Sequence, residues 1–479
     1  MKLSELAGEK FSTDPEITGI TADSRFVEKG FLYAAIKGEN ADGAKFIPQA
    51  EQNGAAAVLG ALGVSASVPT ISDPEPRRRL SQLAAKFYEK QPGFVAGITG
   101  TNGKTSTALF AAQLWSLLGE ASGSIGTLGA AGKNFHTPLQ HTTPEPVTLH
   151  RVLAEMAGAK ISHVAMEVSS HAISQYRADS VKFSCAAFTN ITQDHLDYHG
   201  SFDAYFDAKA RLFSELAPQG ATAVVNADGE GCNEIIKLTK ARGLKVMTTG
   251  LDGRDIRLVR FNPQPTGMNA VVEARGKTYD TFVPLVGAFQ LENVLLAAGI
   301  VIASGAEAKN VLPHIANLAG APGRMELVGE VSDAGVYVDY AHTPDAIATA
   351  LRAIRPHASK KVVAIIGAGG DRDQTKRALM GKSASELADK VIVTDDNPRN
   401  EDPAKIRQDV LAGCDSAVEI GDRREAIGTG VSMLREGDVL LVMGKGHETG
   451  QRIGDKTFPF SDVEEVRAAI DRRQKEIGR

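Results

Sequence analysis

The stretch Gly97-Ile98-Thr99-Gly100-Thr101-Asn102-Gly103-Lys104-Thr105 has the residue types that bind phosphate. Glycines let successive backbone N–H groups turn toward an anion. A lysine here can reach the terminal phosphates of a nucleotide, and a threonine hydroxyl can ligate Mg2+. The expected nucleotide contacts are Gly100, Thr101, Asn102, Gly103, Lys104, Thr105 and Ser106. The general phosphate-loop pattern has glycine five residues before Gly103, where this chain has Ile98, so the loop is a variant. A glycine-rich turn between strand and helix can also exist without nucleotide, but the Gly103-Lys104-Thr105 ending argues for one.

Two further motifs carry carboxylate and imidazole groups. Glu167-Val168-Ser169-Ser170-His171 ends one apolar run, and Asn190-Ile191-Thr192-Gln193-Asp194-His195 ends another. Polar residues at the C-terminal ends of parallel strands face one crevice. Glu167 is a hard oxygen donor suited to Mg2+. A lone histidine such as His195 is more often structural, and its place after a phosphate loop is what raises it as a candidate. Lys209 lies in a helical pattern over residues 202–213, with Phe202, Tyr205, Phe206 and Leu212 expected inward. A lysine in such a helix ordinarily faces solvent.

The loop ending in Lys104-Thr105, followed in order by the Glu167 and His195 motifs, resembles the Mur ligase and folylpolyglutamate synthetase superfamily. The resemblance implies an ATP-dependent amide-bond ligase, in which a carboxylate becomes an acyl phosphate and an amine then displaces the phosphate. It implies that Thr105, Glu167, His195 and a carbamylated Lys209 hold Mg2+. Carbamylation needs a neutral amine, and burial favours that form. It also implies catalytic roles for Lys104, Lys209, His195 and Arg324. Asn293 is expected on the adenine side, Arg324 as a cation on ATP, and Asp339 as a nucleotide contact.

Thr21-Ala22-Asp23-Ser24-Arg25 and Gly38-Glu39-Asn40-Ala41 resemble the uridine-nucleotide region of the Mur ligases, which folylpolyglutamate synthetases lack. Alone, Asp23-Ser24-Arg25 reads as a turn. The resemblance implies that Ser24, Glu39, Asn40 and Ala41 contact UDP. Thr142, Thr143, Ser169, Gln175 and Arg177 are then expected at the muramyl-peptide end, where Arg177 can grip a carboxylate bidentately. His141 departs from the residue usual in the family. Asp396-Asn397-Pro398-Arg399 is the motif associated there with meso-diaminopimelate, although alone it is a good turn sequence. Arg399 offers a planar fork to the distal carboxylate, and Asn397 a hydrogen-bonding amide. Arg372, Gly444 and Glu448 are read as completing this zwitterion site.

The expected partners are therefore UDP-N-acetylmuramoyl-L-alanyl-D-glutamate and meso-diaminopimelate, with ATP and Mg2+ as cofactors. Two other readings stay open: a ligase of the same family that adds L-lysine, and an ATP-binding regulatory protein that makes no amide.

These groups need a scaffold that ends several strands at one edge. Short apolar runs at residues 94–99, 163–168, 185–189 and 221–226 alternate with helical patterns, as in a parallel sheet. Runs at 336–340, 361–366, 390–394 and 439–443 repeat the arrangement, while residues 255–285 read as consecutive strands extending the middle block. The expected fold is α/β with three domains. Residues 1–90 would form a smaller UDP-substrate domain, 91–320 a central ATP-binding domain with a mostly parallel sheet, and 321–479 a doubly wound, Rossmann-like amino-acid domain.

The length of 479 residues accommodates about three domains. A net charge of −5 argues against a nucleic-acid partner. The start of the chain lacks the apolar core of a signal peptide, and no apolar stretch reaches membrane-spanning length. Cys185, Cys232 and Cys414 are too widely spaced for a zinc or disulfide pattern. A cytoplasmic monomer is expected.

Overall fold

The computed structural model describes residues 1–38, 41–192 and 194–477. Its contacts divide the chain into two units. The first comprises Met1–Arg257 with Glu292–Val311, and the second Leu258–Leu291 with Leu312–Arg479.

The first unit opens with a small parallel sheet in the order Gly19–Thr21, Phe31–Ala34, Ala57–Gly60 and Thr70–Ser72. Helix Pro76–Tyr88 covers it, with proline in its first turn and Leu80, Leu83 and Ala84 buried, the three- and four-residue spacing of one helix face.

Beyond it lies a larger run of strands. Lys245–Gly250, Thr222–Asn226, Cys185–Phe188, Phe94–Thr99, His163–Glu167 and Ser122–Gly126 are parallel neighbours in that order. Gly129–Gly132 and Phe135–Thr137 add an antiparallel meander. Phe94–Thr99 pairs Ile98 with Glu167 on one side and Thr99 with Phe188 on the other. That register ends three neighbouring strands together, so the loops that follow them share one edge. The central strands Phe94–Thr99, His163–Glu167 and Cys185–Phe188 are mainly apolar, as expected where both faces of a parallel sheet are covered.

The second unit holds a six-stranded sheet in the order Glu326–Val331, Ala334–Asp339, Val439–Met443, Val362–Ile366, Lys390–Val393 and Val418–Glu419. Only the first pair is antiparallel. Ile347, Met380 and Ile406 bring three helices into the core on one face. Ala426, Ile427 and Val466 bring two more into the core on the other. This is the doubly wound α/β domain expected from the sequence.

Residues 255–285 were expected to extend the middle block as consecutive strands, and Ile256–Gln264, Gly267–Ala274 and Lys277–Val283 do continue the larger sheet beyond Lys245–Gly250. By its contacts, Leu258–Leu291 also groups with the second unit. Tyr337 Oη donates to Pro265 O at 2.6 Å. The His357 ring lies between Gln264 O at 2.7 Å and the Gly287 N–H at 3.0 Å. With Nε2 accepting, Nδ1 must donate, so His357 is the neutral tautomer there. Of the four residues expected partly inward on the 202–213 helix, Tyr205 and Leu212 are fully buried, whereas Phe202 is 38% exposed. Phe202 is the first residue of its helix, after the Ser201 cap, and so lies at the end of the apolar face. The strands between residues 122 and 137 and the hairpin of Gly450–Ile453 with Lys456–Pro459 were not anticipated.

Arg423 and Asp462 are both fully buried and share two bonds of 2.7 Å, and Arg423 also donates to Met443 O at 3.0 Å. Asp462→Ala leaves a buried cation without its counter-ion, for an expected loss of about 3–5 kcal/mol. A fall in the denaturant midpoint of the second unit's unfolding checks it, and an unchanged midpoint contradicts it.

Candidate active site

The loop at the end of Phe94–Thr99 is shaped by two glycines. Gly100 has φ +145°, and a Cβ there would lie 1.8 Å from Thr189 Oγ1. Gly103 has φ +84°, and its Cβ would meet Asn293 Oδ1 at 2.2 Å. No other residue fits either place. Asn190 then fixes the loop, taking the Thr101 N–H on its carbonyl at 2.9 Å and the Asn102 N–H on Oδ1 at 3.0 Å. Helix Lys104–Leu117 starts directly after Gly103 without a side-chain cap, leaving N–H groups and a positive dipole end for an anion.

Two lysines converge on one carbonyl. Lys104 Nζ donates to Gly100 O at 2.9 Å and to Thr101 O at 2.8 Å, and Lys209 Nζ donates to Gly100 O at 2.7 Å. Lys209 is 2% exposed. Burial first, and then the neighbouring Lys104 charge, bring its pKa down to about 6. Burial also lowers the Lys104 pKa, against the pull of Glu167 and Asp194.

Glu167 accepts from Thr105 Oγ1 at 2.9 Å and from the Thr127 N–H at 2.8 Å. Burial pushes its pKa up, opposed by the Thr127 N–H and by Lys104. Thr105 and Glu167 therefore present two hard oxygens side by side. That donor set fits Mg2+, which commonly takes one or two protein oxygens and fills the rest of its shell with phosphate and water. Among the described residues no three His, Cys, Asp or Glu side chains are grouped to hold a metal. His195, expected as a ligand, stands 3.5 Å from Asp194 with its ring 4.7 Å from that of His171.

The residues expected at the muramyl-peptide end form one bonded string. Thr143 Oγ1 donates to Glu167 O at 2.9 Å and accepts the Ser169 N–H at 3.1 Å. Arg177 donates to Thr143 O at 3.0 Å and to Gln175 Oε1 at 2.6 Å. Thr142 pairs its hydroxyl with Thr127 at 3.1 Å. At the small sheet, buried Ser24 donates to Gln49 Oε1 at 2.9 Å, and Ala41 O accepts the Gly38 N–H at 2.8 Å. Glu39 and Asn40 lie outside the described residues.

In the second unit, Arg324 lies over the Tyr340 ring at 4.9 Å. Asp339, expected to touch nucleotide, takes the Met325 and Ala341 N–H groups at 2.8 Å each. It thereby pins the loop that carries Arg324. The Asp396–Arg399 motif follows Lys390–Val393. Asn397 Nδ2 donates to Glu448 Oε2 at 2.9 Å, and Arg399 donates to Gly370 O at 2.6 Å. Asp396 is buried, which raises its pKa against the charges of Arg423 and Lys445. Arg372 is exposed.

Sequence reasoning missed three supports. Arg377 is 1% exposed, bonded to Glu401 at 2.8 Å and Asp409 at 3.1 Å, and it donates to Gly369 O at 3.3 Å. Tyr205 bonds the Thr101 hydroxyl at 2.9 Å. Lys445 is fully buried beside Asn397. The available signal for Lys445 was its place between two glycines at the end of an apolar strand. A backbone signal also marks these places. Tyr176, His195, Met325, Asp371 and Arg399 all have positive φ, between 46° and 57°, and each is or adjoins an expected site residue.

Fold and loop together define an α/β enzyme that binds a nucleoside triphosphate at the edge of a parallel sheet. Models of the Mur ligase family match three segments: the catalytic domain over residues 16–88, the middle domain over 98–301 and the glutamate ligase domain over 323–446. The UDP-N-acetylmuramoyl-L-alanyl-D-glutamate–2,6-diaminopimelate ligase of Bradyrhizobium diazoefficiens is 46% identical over 483 residues, covering 99% of this chain and 100% of that one. Its counterpart from Caulobacter vibrioides is 47% identical, covering 98% and 99%. A solved structure of a ligase with the same name superposes with a TM-score of 0.79 at 32% identity, covering 99% of each chain. The chain belongs to the Mur ligase family and is an ATP-dependent ligase.

Gly100→Ala forces a methyl group into Thr189. The expected outcome is loss of nucleotide binding, at least tenfold weaker by titration of a fluorescent ATP analogue, with the thermal transition retained. Unchanged affinity would show that the loop tolerates a side chain.

Proposed function

We propose that this chain uses ATP to join meso-diaminopimelate to the D-glutamyl γ-carboxylate of UDP-N-acetylmuramoyl-L-alanyl-D-glutamate, a step of peptidoglycan synthesis. The relatives that bear this activity in their names match from end to end. The observation that carries the choice of amine is the pairing of Asn397 with Glu448 beside Arg399. It sets a donor amide against an acceptor carboxylate, two residues along the chain from an Arg399 guanidinium bonded to Gly370 O. A diamino acid with two carboxylates supplies a complement to all three, whereas L-lysine leaves the guanidinium without a carboxylate.

The proposed division of labour follows three segments: residues 1–90 for the uridine nucleotide, 91–320 for ATP and 321–479 for the amino acid. Ser24, with Glu39, Asn40 and Ala41, faces UDP. Thr142, Thr143, Ser169, Gln175 and Arg177 orient the peptide. The loop N–H groups from Gly100 to Ser106 hold the phosphates, and Asn293 flanks the adenine. Lys104 leaves its two carbonyls for the γ-phosphate and follows the charge as it moves to the carboxylate oxygen. Arg324 is the cation that the family resemblance assigns to ATP. ADP leaves, the diaminopimelate amine attacks the acyl carbon, phosphate departs with the acyl–oxygen electron pair, and the amine gives up a proton. Mg2+, held by Thr105 and Glu167, with His195 and carbamylated Lys209 in the reading drawn from the family, would neutralise phosphate charge.

Lys209 suits carbamylation. At pH 7 an amine with a pKa of about 6 is roughly nine-tenths neutral, the form whose nitrogen attacks CO2 to give a carbamate and a proton. Lys209→Ala should abolish amide formation, with partial return on adding small carboxylates; full activity without them removes the carbamate from the mechanism. In wild type, the neutral fraction falls as pH drops through about 6. Activity should therefore become bicarbonate-dependent there, and a flat bicarbonate response across that range contradicts the assignment. The direct test of the whole reading is ADP release with the UDP-dipeptide across a panel of amines. Meso-diaminopimelate should support turnover and L-lysine should not. ATP hydrolysis without an amide product would point instead to a regulatory protein.

A further inference from the structure

Lys445 is the most deeply buried cation near the Asp396–Arg399 motif, with a side chain that is 0% exposed. Its ammonium donates to Asn397 Oδ1 at 2.9 Å and to Glu448 Oε2 at 3.4 Å, and lies 3.7 Å from Asp396 Oδ1. A buried lysine is costly unless its charge is used. The use here is chemical polarity.

An asparagine amide can present either its oxygen or its nitrogen to a ligand, and a half-turn about its last bond exchanges them. Lysine has three donors and no acceptor, so the atom facing Lys445 must be the oxygen. The Arg452 N–H reaches the same Oδ1 at 2.9 Å. Both lone pairs of Oδ1 are then engaged. Nδ2 must point to Glu448, to which it donates at 2.9 Å, and it keeps one further N–H. Glu448 receives both bonds on Oε2 and is 34% exposed. Asn397 therefore offers a ligand only a donor, and Glu448 only an acceptor, side by side.

Hairpin Gly450–Pro459 braces this arrangement. Arg399 and Ile453 form a bridge, with the Arg399 N–H on Arg452 O at 3.1 Å and the Gly454 N–H on Arg399 O at 2.7 Å. Gln451 Nε2 donates to Asp396 O at 2.8 Å. The backbone that delivers the Arg452 N–H is thus tied to the motif it helps orient.

We propose that Lys445 is a positioning residue that locks the Asn397 amide with its N–H toward the ligand. A donor and an acceptor so close match a carboxylate and an ammonium on the same carbon, the zwitterionic end of an amino acid. The inference rests on the reading of this site given under the proposed function. Lys445 itself touches no substrate. Without it the Asn397 amide is oriented only by the Arg452 N–H and by Glu448, and the distinction between a carboxylate and other ends weakens.

The test uses the full chain with Lys445→Met and Lys445→Arg, measuring KM for each substrate and the preference for meso-diaminopimelate over L-lysine. A hydrogen bond to a charged group corresponds to about tenfold or more in affinity. Lys445→Met should raise the amine KM by that factor and narrow the preference, leaving the KM for ATP and UDP-dipeptide unchanged. Lys445→Arg, which keeps donors alone, should retain most of both. If the Met variant shows no cooperative thermal transition, Lys445→Gln replaces it, since it is neutral and can hydrogen-bond either way. It should also raise the amine KM selectively. Wild-type amine KM and preference in the neutral variant, or equal rises for all three substrates, overturn the proposal. If wild type rejects meso-diaminopimelate but uses another amino acid whose KM rises selectively in the variant, the assignment of amine fails and the role of Lys445 stands. A wild type that uses no amine overturns both.

Discussion

The carbonyl of Gly100 is the point on which the first unit's chemistry turns, because it receives the ammonium groups of both Lys104 and Lys209. One oxygen cannot balance two buried cations, and the loop N–H groups add positive potential of their own. Two outcomes relieve the conflict. An anion enters the loop and draws Lys104 away, or Lys209 gives up its proton. The pKa of about 6 at Lys209 is the second outcome, and triphosphate binding is the first. Gly100 is indispensable for a separate reason: its φ and the nearness of Thr189 leave no space for a side chain.

Glu167 works against the same background. It is buried to 2% exposure, and its oxygens are held by Thr105 and by the Thr127 N–H. A buried carboxylate is costly unless bonded and near positive charge, and Lys104 supplies that charge. The backbone carbonyl of Glu167 meanwhile accepts from Thr143, which is bonded through its own carbonyl to Arg177. One strand end thus ties the phosphate loop to the residues expected to orient the peptide. A shift of His163–Glu167 along Phe94–Thr99 would move both together.

How much of this was legible in the sequence follows from where each signal resides. The strands around Phe94–Thr99 were visible because strands covered on both faces are apolar throughout. The phosphate loop was visible because its demands fall on neighbouring residues. That residues 258–291 also pack with the third block was hidden because it depends on Tyr337 and His357 reaching back to Pro265, Gln264 and Gly287. The hairpin Gly450–Pro459 was hidden because Lys456–Pro459 is exposed throughout and shows no alternation. Lys445 was passed over because its burial is decided largely by Asp396 and Asn397, 49 and 48 residues upstream, a pairing that local periodicity does not report. Asp339 was found, but as a nucleotide contact. The structure engages both its oxygens with backbone N–H groups, so its visible work is to shape the Arg324 loop.

The two units solve opposite electrostatic problems by the same means. The phosphate loop must welcome an anion, and it does so with an uncapped helix start and two lysines whose hydrogen bonds, among the described residues, go to backbone carbonyls. In the proposed function the motif around Asn397 must welcome a zwitterion, so an excess of either sign would defeat it. Lys445 and Arg423 face Asp396, Glu448 and Asp462 there, and this near balance leaves recognition to the direction of individual donors and acceptors. Directional recognition requires fixed side chains. A buried lysine that can only donate is therefore better suited to this place than an apolar residue of the same length, even though the apolar residue would be easier to bury.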